Sequence, residues 1–133
     1  MFEPNQYHNP RIEKTGYKYF NYLLGKIDGV EVPFYANFSV GDSVYREVGL
    51  AYKNTSPKLT TTRFLDSVIR ENNLPNPDFL KLDTQGSDLD ILKGATRALK
   101  ETKFLYNLIL RFYTTKNLKK YSIAWIFGGV KIR

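Results

Sequence analysis

The chain has 133 residues, of which 42% are hydrophobic and 15% aromatic, enough to build the core of one globular domain. It has no cysteine and one histidine, which excludes disulfides and thiolate zinc sites and argues against a histidine-rich metal site or a Ser-His-Asp triad. No stretch reaches the roughly 20 apolar residues that cross a bilayer, and the first residues do not resemble a signal peptide. We therefore expect a cytoplasmic protein with no membrane span.

The net charge of +7 is unevenly distributed along the chain. Residues 1–92 carry 10 basic and 12 acidic side chains, a balance of −2, whereas residues 93–133 carry 10 basic and one acidic side chain, a balance of +9. A basic segment of this kind is typical of a contact with nucleic acid or a membrane surface, or of a tail with a separate origin.

The first predicted elements are two strands joined by a turn. Residues 17–24 are aromatic and apolar and predict a strand, and residues 25–29 (GKIDG) have turn chemistry. Residues 30–35 alternate in polarity and predict a second strand, which we place at a sheet edge because Pro33 cannot donate a ladder hydrogen bond. Residues 37–57 are rich in Gly, Ser and Asn and predict a loop.

A short strand and a helix are predicted next. Residues 60–62 are β-branched and predict the end of a short strand. The helix is predicted from apolar residues that recur at helical spacing, namely Phe64, Leu65, Val68 and Ile69. Residues 72–77 (NNLPNP) predict the end of that helix, since Asn and Pro favour turns.

The clearest unit is a strand at 79–82, a tight turn at 83–86, a helix, and a second strand at 104–112. Ser87 is predicted to cap the helix with Asp90 as its capping-box partner. One face of the helix is expected to contain Leu89, Leu92, Thr96 and Leu99. This spacing predicts a βαβ unit with parallel strands, and hence an α/β fold with a mostly parallel sheet.

Two carboxylates are predicted at the carboxyl ends of strands, where α/β sheets bind their ligands. Asp83 follows a buried strand and could orient a nucleophile, accept its proton or hold a metal ion; the alternative is a turn carboxylate that caps backbone amides. Glu3 lies at such an end if residues 1–2 belong to a strand. It could accept two hydrogen bonds from a ribose diol, and the alternative is an exposed glutamate near the terminus.

Other side chains point less clearly to a function. The ten tyrosines could stack on RNA bases, but no aromatic and basic residues have the spacing of a known RNA-binding module, so we expect core and edge packing and no nucleic acid. His8 is expected to be structural, and the lysines at 116, 119 and 120 are expected to form a solvated face.

The segments FEPN (residues 2–5) and KLDTQGSDLDILKGA (residues 81–95) resemble the FkbM family of methyltransferases. The resemblance covers roughly residues 2–112 and implies a class I methyltransferase domain with a Rossmann-like sheet. It implies S-adenosylmethionine as the cofactor and a hydroxyl of a sugar or polysaccharide as the acceptor. By this resemblance Glu3 holds the ribose hydroxyls with Asn5 beside it, and Asp83 lies near the transferred methyl group, with a bound divalent ion as an alternative means of activation. No residue is assigned as a protein metal ligand.

The sequence also departs from that family. The family begins with a strand and a glycine-rich turn upstream of FEPN, whereas this sequence starts at Met1. We therefore expect an incomplete sheet over residues 1–112, which a partner chain or an oligomer could complete, and a divergent basic tail over 113–133. Two alternatives to an active methyltransferase remain open: a catalytically inactive fragment of the fold, and a basic protein that binds nucleic acid or an anionic surface. The absent glycine turn predicts weak or no binding of S-adenosylmethionine.

Overall fold

The computed structural model describes residues 1–36, 41–46, 55–107 and 130–131. The fold is mixed α/β, as predicted. After a 3-10 turn at Gln6–His8, the elements are α1 Asn9–Glu13, β1 Leu23–Leu24, β2 Glu31–Phe34, β3 Lys58–Arg63, α2 Leu65–Glu71, β4 Phe79–Leu82, α3 Asp88–Lys93, α4 Thr96–Glu101, β5 Phe104–Asn107 and β6 Val130–Lys131. None of the helices in these ranges is long and apolar enough to span a membrane.

The strands form two three-stranded sheets, with the orders β1-β3-β2 and β4-β5-β6. β1 is parallel to β3 and β4 is parallel to β5, whereas β2 and β6 are antiparallel to their neighbours. The sheets are therefore parallel only in part. In the first sheet the reason is the turn at residues 25–29, which reverses the chain. Since β2 then runs opposite to β1, β3 between them can be parallel to only one of the two.

The strand predicted at residues 17–24 is much shorter in the structure. Only Leu23–Leu24 form β1, and Phe20 makes a single parallel bridge with Phe2. The Phe20 ring stacks on the rings of Phe2 and Tyr22, with centroid distances of 5.6 and 5.8 Å. Packing of aromatic rings therefore replaces most of the expected ladder in this segment.

β2 lies at the edge of the first sheet, as Pro33 predicted, and β3 is longer than the predicted strand end at residues 60–62. Of the predicted loop at 37–57, the structure describes 41–46 and 55–57. These residues form neither helix nor strand, apart from an isolated bridge between Tyr35 and Ser43. The rest of the predicted loop lies outside the described residues.

α2 confirms the predicted helix, but its first turn is capped from a distant part of the chain. Phe64 at the N-cap has no polar side chain, and the Asp28 carboxylate accepts hydrogen bonds from the Phe64 amide and the Ser67 hydroxyl. The helix ends at Glu71, followed by the predicted Asn-Pro turn. Asp28, in the turn before β2, thus joins the first sheet to α2.

The predicted βαβ unit is confirmed for β4 and β5, which pair in parallel from Phe79↔Phe104 to Leu82↔Asn107. The continuation of β5 over residues 108–112 lies outside the described residues. The single helix predicted between these strands is wrong, because it breaks at Gly94–Ala95 into α3 and α4. A Cβ atom at Gly94 would lie 2.2 Å from the Gly25 carbonyl oxygen, so the two backbones touch at the break.

The predicted capping box at the start of α3 is also wrong. Ser87 does not cap the helix with its side chain; its hydroxyl donates to the Thr84 carbonyl oxygen at 3.2 Å. The Asp90 carboxylate is instead paired with the ammonium groups of Lys26 and Lys93, at 3.2 Å each. Ser87 has φ −90° and ψ 3°, not the extended backbone of a capping residue, so its hydroxyl is turned back into the preceding turn.

A hydrophobic core joins the two sheets. Its buried members come from β1, β4, β5 and helices α2 to α4, and comprise Leu24, Leu65, Val68, Leu82, Ile91, Leu92, Ala95, Ala98 and Leu105. Of the predicted helix face only Leu92 belongs to this buried set, and Thr96 is exposed. Because both sheets pack on the same helices, strand ends from both sheets can border one cavity.

Candidate active site

A cavity of about 850 Å³ lies where segments of the two sheets come together. Its lining includes Glu3 and Pro4 of the FEPN segment, Asp42 and Ser43 of the following loop, and Asp83, Thr84 and Gln85 after β4. Apolar side chains complete it, among them Leu24, Phe34, Leu65, Leu82 and Ile91. The structure thus brings Glu3 and Asp83 to the same cavity, although they lie far apart in the sequence. Asp83 follows β4 as predicted, whereas Glu3 follows Phe2, whose backbone makes one isolated bridge in place of a strand.

Glu3 is fixed in place by the bridge that precedes it. Its amide donates to the Phe20 carbonyl oxygen at 3.0 Å, and its Oε1 atom accepts the Asn5 amide at 2.8 Å. Burial raises the pKa of the half-buried Glu3 carboxyl, and the neighbouring charge of Asp42 raises it further. The Asn5 hydrogen bond and His8 act in the opposite direction without cancelling the rise. Glu3 is therefore a partly desolvated acceptor.

Asn5 does not line the cavity but braces two residues that do. Its backbone amide holds Glu3, while its Nδ2 donates to Asp42 Oδ2 at 2.7 Å. Its Oδ1 accepts the Tyr7 amide at 3.1 Å and so caps the 3-10 turn. A direct contact between Asn5 and a cofactor remains a prediction.

Two further residues of the site are Asp42, which the sequence did not single out, and His8, which was expected to be structural. His8 Nε2 lies 3.3 Å from Asp42 Oδ2, and both side chains line the cavity beside Glu3. The two residues are 34 positions apart, so no local spacing connects them. The family resemblance covers roughly residues 2–112 and so includes Asp42, and that is the signal that could have drawn attention to this residue.

Asp83 lies in another part of the cavity lining, which we call the second wall, and is far more open than Glu3. Its side chain is 47% exposed, and its Oδ2 atom lies 3.3 Å from Lys81 Nζ. The turn that follows has two residues with left-handed backbone, Gln85 at φ 51° and Gly86 at φ 103°. This conformation is uncommon for a residue with a side chain such as Gln85, so contacts from elsewhere must hold the turn in shape.

Two hydrogen bonds brace this turn. The Ser43 hydroxyl donates to the Gln85 carbonyl oxygen at 3.1 Å, which ties the loop that contains Asp42 to the turn. The Thr84 hydroxyl donates to Asp88 Oδ1 at 2.8 Å, which ties the turn to the first residue of α3. The backbone around Asp83 is thus held from both sides while the carboxylate itself stays accessible.

Asp88, which accepts the hydrogen bond from Thr84, is a buried carboxylate. It is only 3% exposed, and its Oδ2 atom has no hydrogen-bond partner among the described residues. Burial raises the pKa of the Asp88 carboxyl; the Thr84 hydrogen bond opposes the rise, and the charge of Asp83 adds to it. Asp88, the first residue of α3, thus anchors the turn through its contact with Thr84.

An α/β fold with acidic side chains around one cavity, one of them directly after a parallel strand, is typical of enzymes that bind polar small molecules. The family model described as the methyltransferase FkbM domain matches residues 1–123, so the chain belongs to the FkbM methyltransferase family, as FEPN and the segment 81–95 predicted. No curated protein and no solved structure matches the chain. The family match runs past residue 112, and the predicted boundary between domain and basic tail stays a prediction.

Proposed function

We propose that this cavity is the site of S-adenosylmethionine-dependent methyl transfer to a hydroxyl group of a sugar or polysaccharide. Membership of the FkbM family suggests methyltransferase activity. The observation that carries the proposal is that Glu3 and Asp83, the acidic residues of the two family motifs, line one cavity of about 850 Å³. Cavities for small molecules and cofactors have volumes of about 300–1,000 Å³, so a nucleoside cofactor and part of an acceptor could be accommodated.

Glu3 is suited to hold the ribose of the cofactor. One oxygen of its carboxylate accepts the Asn5 amide, which fixes the orientation of the group and leaves lone pairs on both oxygens for the two hydroxyls of a diol. Because Glu3 is half-buried, hydrogen bonds to it compete less with water than those at an exposed carboxylate. When bound, S-adenosylmethionine supplies an electrophilic methyl group on a sulfonium sulfur.

Asp83 is suited to act on the acceptor. Its carboxylate can accept a hydrogen bond from the acceptor hydroxyl, orient that oxygen, and take up the proton that the hydroxyl loses. The open side of Asp83 lets that proton pass to water, and Lys81 restrains the carboxylate. The proposal assigns this activation to the carboxylate of Asp83 itself.

The proposal includes a Rossmann-like sheet for this domain. The parallel pair of β4 and β5, with α3 and α4 between them in the chain, supports it. In such sheets the reactive groups follow the carboxyl ends of parallel strands, and Asp83 occupies that position after β4.

Titration calorimetry with S-adenosylmethionine tests the cofactor site. We expect weak but measurable binding that Glu3→Gln reduces by roughly tenfold or more, since hydrogen bonds to a charged group contribute about 1.5–3 kcal/mol. Glu31→Gln is the matched control, because Glu31 is exposed and does not line the cavity. Wild-type protein that shows no binding, or equal binding by the Glu3→Gln variant, would contradict the proposed cofactor site.

Transfer of a labelled methyl group to polysaccharides and to simple sugars tests the acceptor. We expect label on a sugar oxygen, located by mass spectrometry after hydrolysis. Label found only on an amine or a nucleic acid would contradict the proposed acceptor class and leave the cofactor site unaffected.

A further inference from the structure

Glu3, His8 and Asp42 form a cluster of potential metal ligands on one wall of the cavity. Each offers one ligand atom, and these atoms lie within 4.8 Å of one another. The pair His8 Nε2 and Asp42 Oδ2 is 3.3 Å apart. Ligands that share one zinc ion at about 2.0–2.2 Å are themselves separated by about 3–3.5 Å, so the cluster is close to the spacing that a metal ion requires.

The charge of Glu3 is not balanced by a salt bridge within the described part of the chain. Arg11 lines the same cavity but forms no ion pair with Glu3. The neighbouring carboxylate of Asp42 adds a second, partly buried negative charge. Partly desolvated carboxylates placed side by side are unfavourable, and a divalent ion between them would offset that cost.

Asn5 prepares the cluster for a ligand. Its amide holds Glu3 and its side chain holds Asp42, so one residue fixes both carboxylates before anything binds. Hydrogen bonds of this kind orient the ligands of metal sites, and their loss typically lowers metal affinity about 10- to 100-fold.

We propose that Glu3, His8 and Asp42 bind a divalent first-row transition metal ion, such as Zn²⁺ or Mn²⁺. Two carboxylate oxygens and one neutral imidazole nitrogen suit such ions, and the remaining coordination positions face the cavity, where water or a ligand hydroxyl can occupy them. The site differs from the alternative considered from the sequence, a divalent ion at Asp83, because Asp83 contributes no ligand to it. Because Glu3 offers one ligand atom to the ion, its other oxygen stays available for a ribose hydroxyl, and the metal site does not depend on methyl transfer.

The test is a titration of tag-free full-length protein with ZnCl₂, with no methyl donor present. His8 is the only histidine, so its ring signals in ¹H–¹⁵N spectra report on this site alone. We expect Zn²⁺ to shift those signals at one equivalent. Calorimetry should show affinity that Asp42→Asn abolishes and that Asn5→Ala lowers about 10- to 100-fold.

Asp42→Asn is nearly isosteric and keeps an oxygen that can accept the Asn5 side chain, so the fold should survive. Asp78→Asn is the matched control, since its side chain is 75% exposed, pairs with Lys103 and does not line the cavity. His8 ring signals that do not respond to saturating Zn²⁺, or affinity that Asp42→Asn leaves intact, would overturn the proposal. Because the titration contains no methyl donor, its outcome is independent of the proposed methyltransferase activity.

Discussion

The two walls of the cavity hold their carboxylates differently. On the first wall Glu3 is half-buried, held by Asn5 and close to His8 and Asp42. On the second wall Asp83 is about half exposed and paired with the side chain of Lys81, while its backbone is braced by Ser43 and by Thr84 bound to Asp88. The first wall fixes side chains, whereas the second fixes a turn and leaves its carboxylate accessible.

This difference suggests a division of roles. A carboxylate that grips a ligand benefits from being oriented and partly dehydrated before the ligand arrives, since less freedom is lost on binding. A carboxylate that receives a proton must reach both the acceptor and solvent, and precise placement of its backbone is enough to position it. Substitutions at Asp83, Gly94 and Asp88 test this division, from the largest expected effect to the smallest.

The largest effect is expected from Asp83→Asn. If Asp83 accepts the proton of the acceptor hydroxyl, the variant should lower kcat about 10²- to 10⁴-fold, the usual range for loss of a general base, while cofactor affinity changes little. Methyl-transfer kinetics combined with calorimetry measure both quantities, and Asp78→Asn serves as the exposed control. Equal losses of turnover and cofactor affinity would remove the distinction between the two walls.

The contact between Gly94 and Gly25 is the next place to test, because it joins the helices after the Asp83 turn to the first sheet. A Cβ at Gly94 would lie 2.2 Å from the Gly25 carbonyl oxygen and 2.7 Å from the Phe64 ring. We expect Gly94→Ala to lower the free energy of unfolding by about 3 kcal/mol, measured by urea denaturation.

The control is Gly16→Ala. Gly16 has positive φ, at 71°, but a Cβ atom placed there would meet nothing within 4 Å in the described part of the chain, so only backbone strain of about 1–2 kcal/mol is expected. If Gly94→Ala lowered the free energy of unfolding by no more than Gly16→Ala does, close packing between Gly94 and Gly25 would not be what stabilises the contact between the helices and the first sheet.

The smallest effect concerns Asp88 and is a dependence on pH. Its folded-state pKa is raised above the ordinary value of 3.8, mainly by burial. Its contribution to stability is therefore fully present below pH 3.8 and declines as the pH rises through the folded-state pKa. Asp88→Asn removes this titration and keeps an oxygen for Thr84. Relative to wild type, the variant should thus gain stability as the pH rises.

Urea denaturation of the wild type and the Asp88→Asn variant, from acidic to neutral pH, measures the difference in their free energies of unfolding. The other carboxylates are the same in both proteins, so their contributions to this difference cancel. A difference that stays constant over that range would show that burial does not perturb Asp88, and the account of its anchoring role would then need revision.

Several errors of sequence-based prediction at this site share one cause. The residues around Ser87 predict a capping box with Asp90, but they carry no information about Lys26, which forms an ion pair with the Asp90 carboxylate. Likewise, the helix break at Gly94 depends on Gly25, and the cap of α2 depends on Asp28. Each partner is more than 30 positions away. Local patterns report on hydrogen bonds within a few residues, and these contacts form only once the sheets and helices have packed.

The sequence by itself determined the family, the α/β class, the parallel unit of β4 and β5, and the motif residues Glu3 and Asp83. The α/β class and the parallel unit follow from apolar periodicity and turn chemistry, which act over short stretches of chain. The family and its motif residues follow from the resemblance of FEPN and residues 81–95 to the FkbM family. The tertiary structure decided that Glu3 and Asp83 line one cavity and that His8 and Asp42 join Glu3. Those arrangements depend on two sheets packing against a shared set of helices, which places residues from distant parts of the chain side by side.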